Sequence, residues 1–291
     1  MKILLLGKVG QLGSELARCL LPLGELTTFD YPEIDLAKPD SVRATIRSVK
    51  PQIIINATAY TAVDKAESER ELAQAINGTA PGVLAEEAKA LQAILIHYST
   101  DYVFDGTKTK PYLETDLPNP LNVYGSSKYA GEKAIQQVGG DYLILRTAWV
   151  YSMTSGAASF VTKVLQWARQ NEILRIVDDQ VSNPTWARAL AEITAQLMSE
   201  TKNNIRERAG LYHLAGDGYA SRFEWARQIL KFDSNPHEQV TKELLPTLTA
   251  EFPTPAQRPL FSALDCDHFY DAFRLRLPPW AKALQRAMKE I

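Results

Sequence analysis

The chain has 291 residues, 45% of them hydrophobic and 23% charged, and its 32 basic and 34 acidic side chains leave a formal net charge of −2. These values exclude a disordered chain and give no support for a nucleic-acid surface or a polybasic membrane patch. The length allows one large domain or two coupled ones, with ample core.

From the N-terminus, Lys2–Leu6 is an apolar run of strand length. Gln11–Leu23 then sets Leu12, Leu16, Leu20 and Leu23 on one helical face. Leu26–Asp30 reads as a second strand. Pro39, Asp40 and Ser41 open a helix that turns Val42, Ile46 and Val49 inward, with Asp40 or Ser41 as its cap. Gln52–Ala59, centred on Ile53–Ile55, is a third strand. The Ala-, Glu- and Lys-rich stretch from Asp64 to Leu91 predicts two helices, interrupted around Gly78 and Pro81. Ala93–Tyr98 is a fourth strand, Tyr124–Val138 a helix and Tyr142–Arg146 a fifth strand. After residue 150 the rhythm weakens and prolines become frequent. Trp186–Ser199 still reads as an amphipathic helix able to return to the first lobe.

Continuous apolar strands separated by helices indicate a parallel sheet covered on both faces. The expected class is therefore α/β: a Rossmann-type doubly wound parallel sheet with a smaller, irregular C-terminal lobe. Residues 1–150 are expected to bind a dinucleotide and residues 151–291 to bind its substrate, across a soft boundary. No apolar segment approaches the roughly 20 residues of a membrane helix. The run Ile3–Leu6 stops at Gly7 and Lys8, short of the about 7–15 residues of a signal-peptide core. Cys19 and Cys266 form no CxxC pair, and His97, His213, His237 and His268 have no metal-ligand spacing. A cytoplasmic chain with reduced thiols and no resident metal is the expectation.

The first strand runs into Gly7-Lys8-Val9-Gly10-Gln11-Leu12-Gly13, and a helix follows at once. Gly7 would allow the tight turn, Gly10 the approach of a pyrophosphate and Gly13 close packing of helix on strand. The helix N-terminus adds partial positive charge. Asp30 ends the second strand, where an acid hydrogen-bonds the adenosine ribose of NADH. Lys8 in the turn would instead offset the 2′-phosphate of NADPH. Both cofactors stay open.

Tyr124-Gly125-Ser126-Ser127-Lys128 places Tyr and Lys at i and i+4, on one side of a helix. An ammonium beside a phenol lowers its pKa and lets it exchange a proton with a carbonyl or alcohol. His97-Tyr98-Ser99-Thr100-Asp101 ends the fourth strand. Ligands of an open parallel sheet sit outside such carboxyl ends, so Thr100 is expected in the crevice.

Together with Asn56–Glu67, Ser99–Phe104, Pro120–Gly125, Arg146–Tyr151, Gly210–Leu214 and Pro253–Pro259, these residues resemble the dTDP-4-dehydrorhamnose reductase family of the extended short-chain dehydrogenase/reductases. The resemblance covers nearly the whole chain. It implies NADPH- or NADH-dependent reduction of the 4-keto group of dTDP-6-deoxy-L-lyxo-4-hexulose, giving dTDP-L-rhamnose. It also implies a catalytic set of Thr100, Tyr124 and Lys128, with Tyr124 as proton donor and Lys128 also on the nicotinamide ribose. Gly10, Gln11, Leu12, Asp30, Asp35, Leu36, Ala59, Tyr60, Thr61 and Tyr98 would contact the cofactor. Thr100, Asp101 and Trp149 would contact the sugar nucleotide, and Arg258 is assigned to its diphosphate because a guanidinium fork fits phosphate oxygens.

Some positions depart from the family pattern. Val9 stands where Thr is frequent, Gln257 where Arg is frequent, and no glycine lies near Ser182. Some members dimerise around a divalent cation held by acids. Glu15 would serve here, but Arg188 offers a cation where acid is expected, so a monomer and a homodimer both stay open. A sugar-nucleotide 4,6-dehydratase would carry Glu where Tyr102 stands and so lacks its second acid here. An epimerase uses the same Tyr and Lys. A regulatory subunit like that of methionine adenosyltransferase would act as a binding partner.

Overall fold

The computed structural model describes residues 1–153, 159–200 and 202–290. β1 (Lys2–Leu6) leads through the glycine turn into α1 (Gln11–Leu20), and β2 (Glu25–Phe29) and α2 (Pro39–Val49) follow. β3 (Ile53–Asn56) precedes two short helices, α3 (Val63–Ala66) and α4 (Arg70–Gln74), and then α5 (Ala80–Ala90). β4 (Ile94–Thr100), α6 (Val123–Val138) and β5 (Tyr142–Thr147) complete the first 150 residues. The rest supplies β6 (Val150–Tyr151), α7 (Phe160–Ala168), β7 (Ile173–Val177), β8 (Val181–Ser182), β9 (Thr185–Trp186), α8 (Ala187–Glu200) and α9 (Lys202–Glu207). It closes with β10 (Gly210–His213), β11 (Ala220–Ser221), α10 (Arg222–Lys231), β12 (Glu243–Thr247), α11 (Asp267–Phe273) and α12 (Trp280–Ala287).

The six-stranded sheet has the order β10-β5-β4-β3-β1-β2, and every pairing is parallel. Its order reverses between β1 and β3, which opens a crevice at their carboxyl ends. Strands β1, β3 and β4 are buried on both faces apart from Lys2, as their continuous apolar runs require. One core layer joins Ile3, Leu5, Ile55 and Ile96 to Leu12, Leu16 and Leu20 of α1 and Leu190 of α8. Each leucine fully buried this way contributes about 1.5–3 kcal/mol. The other layer joins Leu4, Ile54 and Leu95 to Val42, Leu84 and Ile135. The segment after residue 150 thus returns to the sheet twice, through β10 and through α8 on the α1 side. Its remaining strands form two-stranded pairs: β8 with β11, β7 with β12 and β6 with β9.

Asp64–Leu91 holds three helices rather than two, several element ends shift by one to three residues, and three of the departures have an identifiable cause. α2 takes Pro39 at its first turn with Lys38 as its uncapped N-cap, because the fixed φ of proline suits that start; Asp40 then lies in the first turn, where the helix dipole favours it. β3 stops at Asn56, whose Oδ1 accepts from Thr58 N at 3.1 Å and from the Thr58 hydroxyl, turning the chain out of the sheet. Gly78 and Pro81 do not interrupt a helix. A π-helical turn over Ala75–Thr79 carries α4 into α5. The widened turn accommodates the missing N–H of Pro81 and presents Asn77 to Tyr60 N at 2.8 Å and to Ser127 Oγ at 3.1 Å.

Candidate active site

A cavity of about 460 Å³ opens at the carboxyl ends of β1, β3, β4 and β5. Its floor is the glycine turn. Gly7 adopts φ +93°, and a Cβ on Gly13 would lie 1.7 Å from the Gly7 carbonyl oxygen, so the fold itself demands both glycines. Gly10 differs: a Cβ there would meet nothing of the protein closer than 3.6 Å. Its missing side chain leaves a cradle open to the cavity at the N-cap of α1, as a close-lying pyrophosphate requires. The residues present therefore fit a dinucleotide.

Asp30 lines this end of the cavity. Its carboxylate accepts from Val9 N at 3.0 Å and from Tyr31 N at 2.8 Å. Lys8 is paired with Glu33 at 2.5 Å, and that pairing, together with the hydrogen bond from Asp30 N, lowers the Glu33 pKa. Gln11 and Leu12 also face the cavity, and Gln11 Oε1 accepts from Ser152 N at 2.9 Å, tying the turn to the end of β6. Ala59, Thr61 and Tyr98 lie on the wall. Gly13, Asp35, Leu36 and Tyr60 do not. Asp35 accepts from Ala37 N at 3.0 Å, Leu36 packs in the core, and Tyr60 donates to Glu69 at 2.6 Å.

The opposite wall carries Thr100, Asp101, Tyr124, Lys128 and Trp149 together. Local chemistry fixes the helix that presents Tyr124. Asn122 caps it through Oδ1, which accepts from Gly125 N at 2.8 Å, while Asn122 Nδ2 donates to Gln257 O at 2.7 Å. A Cβ on Gly125 would lie 2.1 Å from the Tyr102 carbonyl oxygen, so glycine lets α6 dock on the loop after β4. Thr100 reaches the Tyr124 hydroxyl. It also donates to Asp101 at 3.1 Å and accepts from Tyr102 N at 3.2 Å.

The electrostatics differ from the expected in one respect. Burial pushes the Tyr124 phenol up, only partly opposed by the neighbouring Thr100 hydroxyl. The Lys128 ammonium donates to Tyr98 O at 2.6 Å, and burial lowers its pKa to about 8. In the free chain Tyr124 therefore holds its proton. Asp101 is fully engaged: one oxygen accepts from Ser182 at 3.0 Å and Ser262 at 2.5 Å, the other from Thr100. Burial raises its pKa. Trp149 sits at φ +42°, a left-handed conformation that costs a non-glycine residue about 1–3 kcal/mol. That strain holds its ring stacked on Trp225, with the Arg222 guanidinium 3.6 Å over its centre.

The family described as RmlD substrate binding domain matches residues 1–291. The chain belongs to this family. It is 42% identical over 296 residues to the dTDP-4-dehydrorhamnose reductase of Escherichia coli K12, covering 100% of this chain and 98% of the relative. Its structure is similar to that of a dTDP-4-dehydrorhamnose reductase from Clostridium acetobutylicum, with a TM-score of 0.91 and 32% identity, over 100% and 99% of the two chains. A dTDP-4-dehydrorhamnose reductase from Bacillus anthracis, solved in complex with NADP, gives 0.90 and 32%, over 100% of each chain.

Arg258 lies apart from the first cavity. It is held by Asp64 at 2.8 Å and lines a second cavity of about 400 Å³ with Lys163, Arg222, Phe160, Trp167 and Phe252. Arg222 is the cation that sequence reasoning missed. Burial among rings lowers its pKa to about 10, and no carboxylate lies within ion-pair distance of it among the described residues. Tyr102 joins the two cavities. Its ring meets the Tyr124 ring edge-on at 5.7 Å, and its hydroxyl is in hydrogen-bonding reach of Arg222 and Arg258. Arg222 carries no motif signal, since nothing near it in sequence shows that α10 lies over Trp149. The departures also find places. Ser182 supplies a hydroxyl to Asp101, Val9 offers only its backbone N–H to Asp30, and Gln257 serves through its carbonyl. Glu15 is paired with Arg188 at 3.1 Å and Arg18 at 3.3 Å, so guanidinium groups occupy the place where a shared cation would bind it.

Proposed function

We propose that this chain reduces the 4-keto group of dTDP-6-deoxy-L-lyxo-4-hexulose to give dTDP-L-rhamnose, using NADPH or NADH. The observation that carries the reading is one cavity walled on one side by an open glycine cradle and on the other by Thr100, Tyr124 and Lys128. The cofactor supplies hydride when bound. The chain's residues do the rest. Tyr124, held protonated by burial, gives its proton to the developing alkoxide, and Thr100 orients the carbonyl. General acid help of this kind is worth about 10²–10⁴ in rate. Positioning of the carbonyl by Thr100 and Trp149 supplies much of the remainder.

The same reading gives residues 1–150 to the cofactor and the later lobe to the sugar nucleotide. Lys163, Arg222 and Arg258 take the diphosphate, and Phe160, Trp167 and Phe252 offer faces for the base. Tyr102 stands where a dehydratase would need an acid, which favours reduction over elimination. Each chain carries the whole catalytic set, so the activity needs no second copy. Cys19 and Cys266 are unpaired thiols, which fits the reducing cytoplasm in which we infer the enzyme works.

The test supplies the 4-keto sugar nucleotide with each cofactor and follows nicotinamide oxidation and the product sugar. Stoichiometric oxidation with formation of dTDP-L-rhamnose is expected. Cofactor cycling without net oxidation would replace this reading with an epimerase. For the cation-lined cavity, Arg222→Gln should raise KM for the sugar nucleotide about tenfold, the loss of one charge-assisted hydrogen bond. KM for NADPH should not change. Equal effects on both would remove Arg222 from the substrate site.

A further inference from the structure

We infer that Asn56 and His97 form a positioning pair that aims an N–H, rather than a lone pair, at Lys128 and so makes Lys128 a switchable cation instead of a permanent one. Asn56 Oδ1 receives the Thr58 N–H at 3.1 Å, and a backbone N–H can only donate, so the orientation of the amide is fixed. Asn56 Nδ2 therefore faces His97 Nδ1, 3.0 Å away, and it too can only donate. His97 Nδ1 must be the bare nitrogen. A neutral imidazole then carries its proton on Nε2, which lies 3.4 Å from Lys128 Nζ.

An ammonium has only hydrogens to offer, so it meets this N–H unfavourably, whereas a neutral amine accepts from it. Protonating His97 does not relieve the conflict, because Nδ1–H would then oppose the Asn56 amide, and burial holds the imidazole pKa well below its ordinary range. All three side chains are buried, so water does not mediate the contact. The titratable groups that meet Lys128 or share its cavity wall are Tyr124 and Glu132 on its own helix, His97 and Tyr98 on β4 and Asp101 after β4. Glu132 favours the cation but is spent on Arg146, at 2.6 and 2.9 Å, and on Ser99. Among the described residues, the Tyr98 carbonyl is the one strong acceptor Nζ has, at 2.6 Å. Lys128 is thus cationic below mildly alkaline pH and neutral above it, in keeping with its lowered pKa of about 8.

The inference rests on the reductase reading for its kinetic arm only. The first test is nitrogen NMR of the wild-type chain with labelled histidine. His237 and His268 are exposed. His97 and His213 should stay neutral with opposite tautomers: His97 with Nε2–H, and His213 with Nδ1–H donated to Tyr112 O at 3.0 Å. A His97 imidazole that carries its proton on Nδ1 would overturn the inference whether or not the chain reduces any sugar. The second test is His97→Gln, whose amide can turn its carbonyl to Lys128. The alkaline limb of the kcat/KM profile should move up by about one pH unit, with turnover at pH 6.5 within about threefold of wild type. A limb that stays, or moves down, would also overturn it.

Discussion

Tyr124 does its proposed work only while protonated, and the free chain holds it so by burying the hydroxyl between α6 and the end of β4. Tyr124→Phe should keep NADPH affinity, read by fluorescence titration, and lose about 10²–10⁴ in turnover. Wild-type turnover would remove Tyr124 from the chemistry. At the other end of the cavity, Glu33 holds Lys8 and accepts from Asp30 N at 3.2 Å. Freed by Glu33→Gln, Lys8 should meet a 2′-phosphate, so the ratio of NADPH to NADH affinity should rise several-fold. Asp30→Ala should weaken NADH more than NADPH, since only NADH offers a ribose hydroxyl there. Unchanged ratios in both variants would place selectivity elsewhere. Tyr124 and Lys128 were legible because four positions on a helix is a local spacing. Glu33 was not, because its partner lies 25 positions away across a turn that only the fold closes.

Within the glycine turn, one element carries two different demands. Gly13 is needed by the backbone, with 1.7 Å available for a Cβ, and Gly10 by nothing in the protein. Gly13→Ala should therefore lose about 1–3 kcal/mol in urea unfolding, because the turn must be forced apart. Gly10→Ala should unfold like wild type and bind NADPH about tenfold or more weakly, because its methyl group fills the cradle. Wild-type cofactor affinity in Gly10→Ala would sink the assignment of this turn to a pyrophosphate. The strands, α1 and α6 were readable from apolar runs and helical spacing. The π-helical turn was not, because its cause is tertiary. A Cβ on Gly131 of α6 would lie 2.2 Å from the Asn77 carbonyl oxygen, so the two helices meet backbone to backbone there. Nothing in Ala75–Thr79 alone announces that approach.

At the scale of the whole molecule, folding keeps two buried imidazoles uncharged. His97 is buried beneath α6, and His213 lies between Arg146 and the carbonyls of Tyr112 and Asp265. Burial, with the nearby Arg146 charge, lowers the His213 pKa to about 3, and burial lowers that of His97 as well. In the unfolded chain both return to about 6.5. Below that pH the unfolded state binds protons that the native state refuses, so stability falls as pH falls. Above it both states are neutral and the effect vanishes. Each histidine should contribute on the order of 1 kcal/mol to the loss between pH 7.5 and 5.5. Urea midpoints across that range measure it, and His213→Gln should halve the slope. The composition shows four histidines but not which two are buried, because only the positions of β4 and β10 in the sheet separate His97 and His213 from the exposed pair. A flat profile between pH 7.5 and 5.5 would mean that these imidazoles protonate in place, and the neutral imidazole required beside Lys128 would then be ruled out.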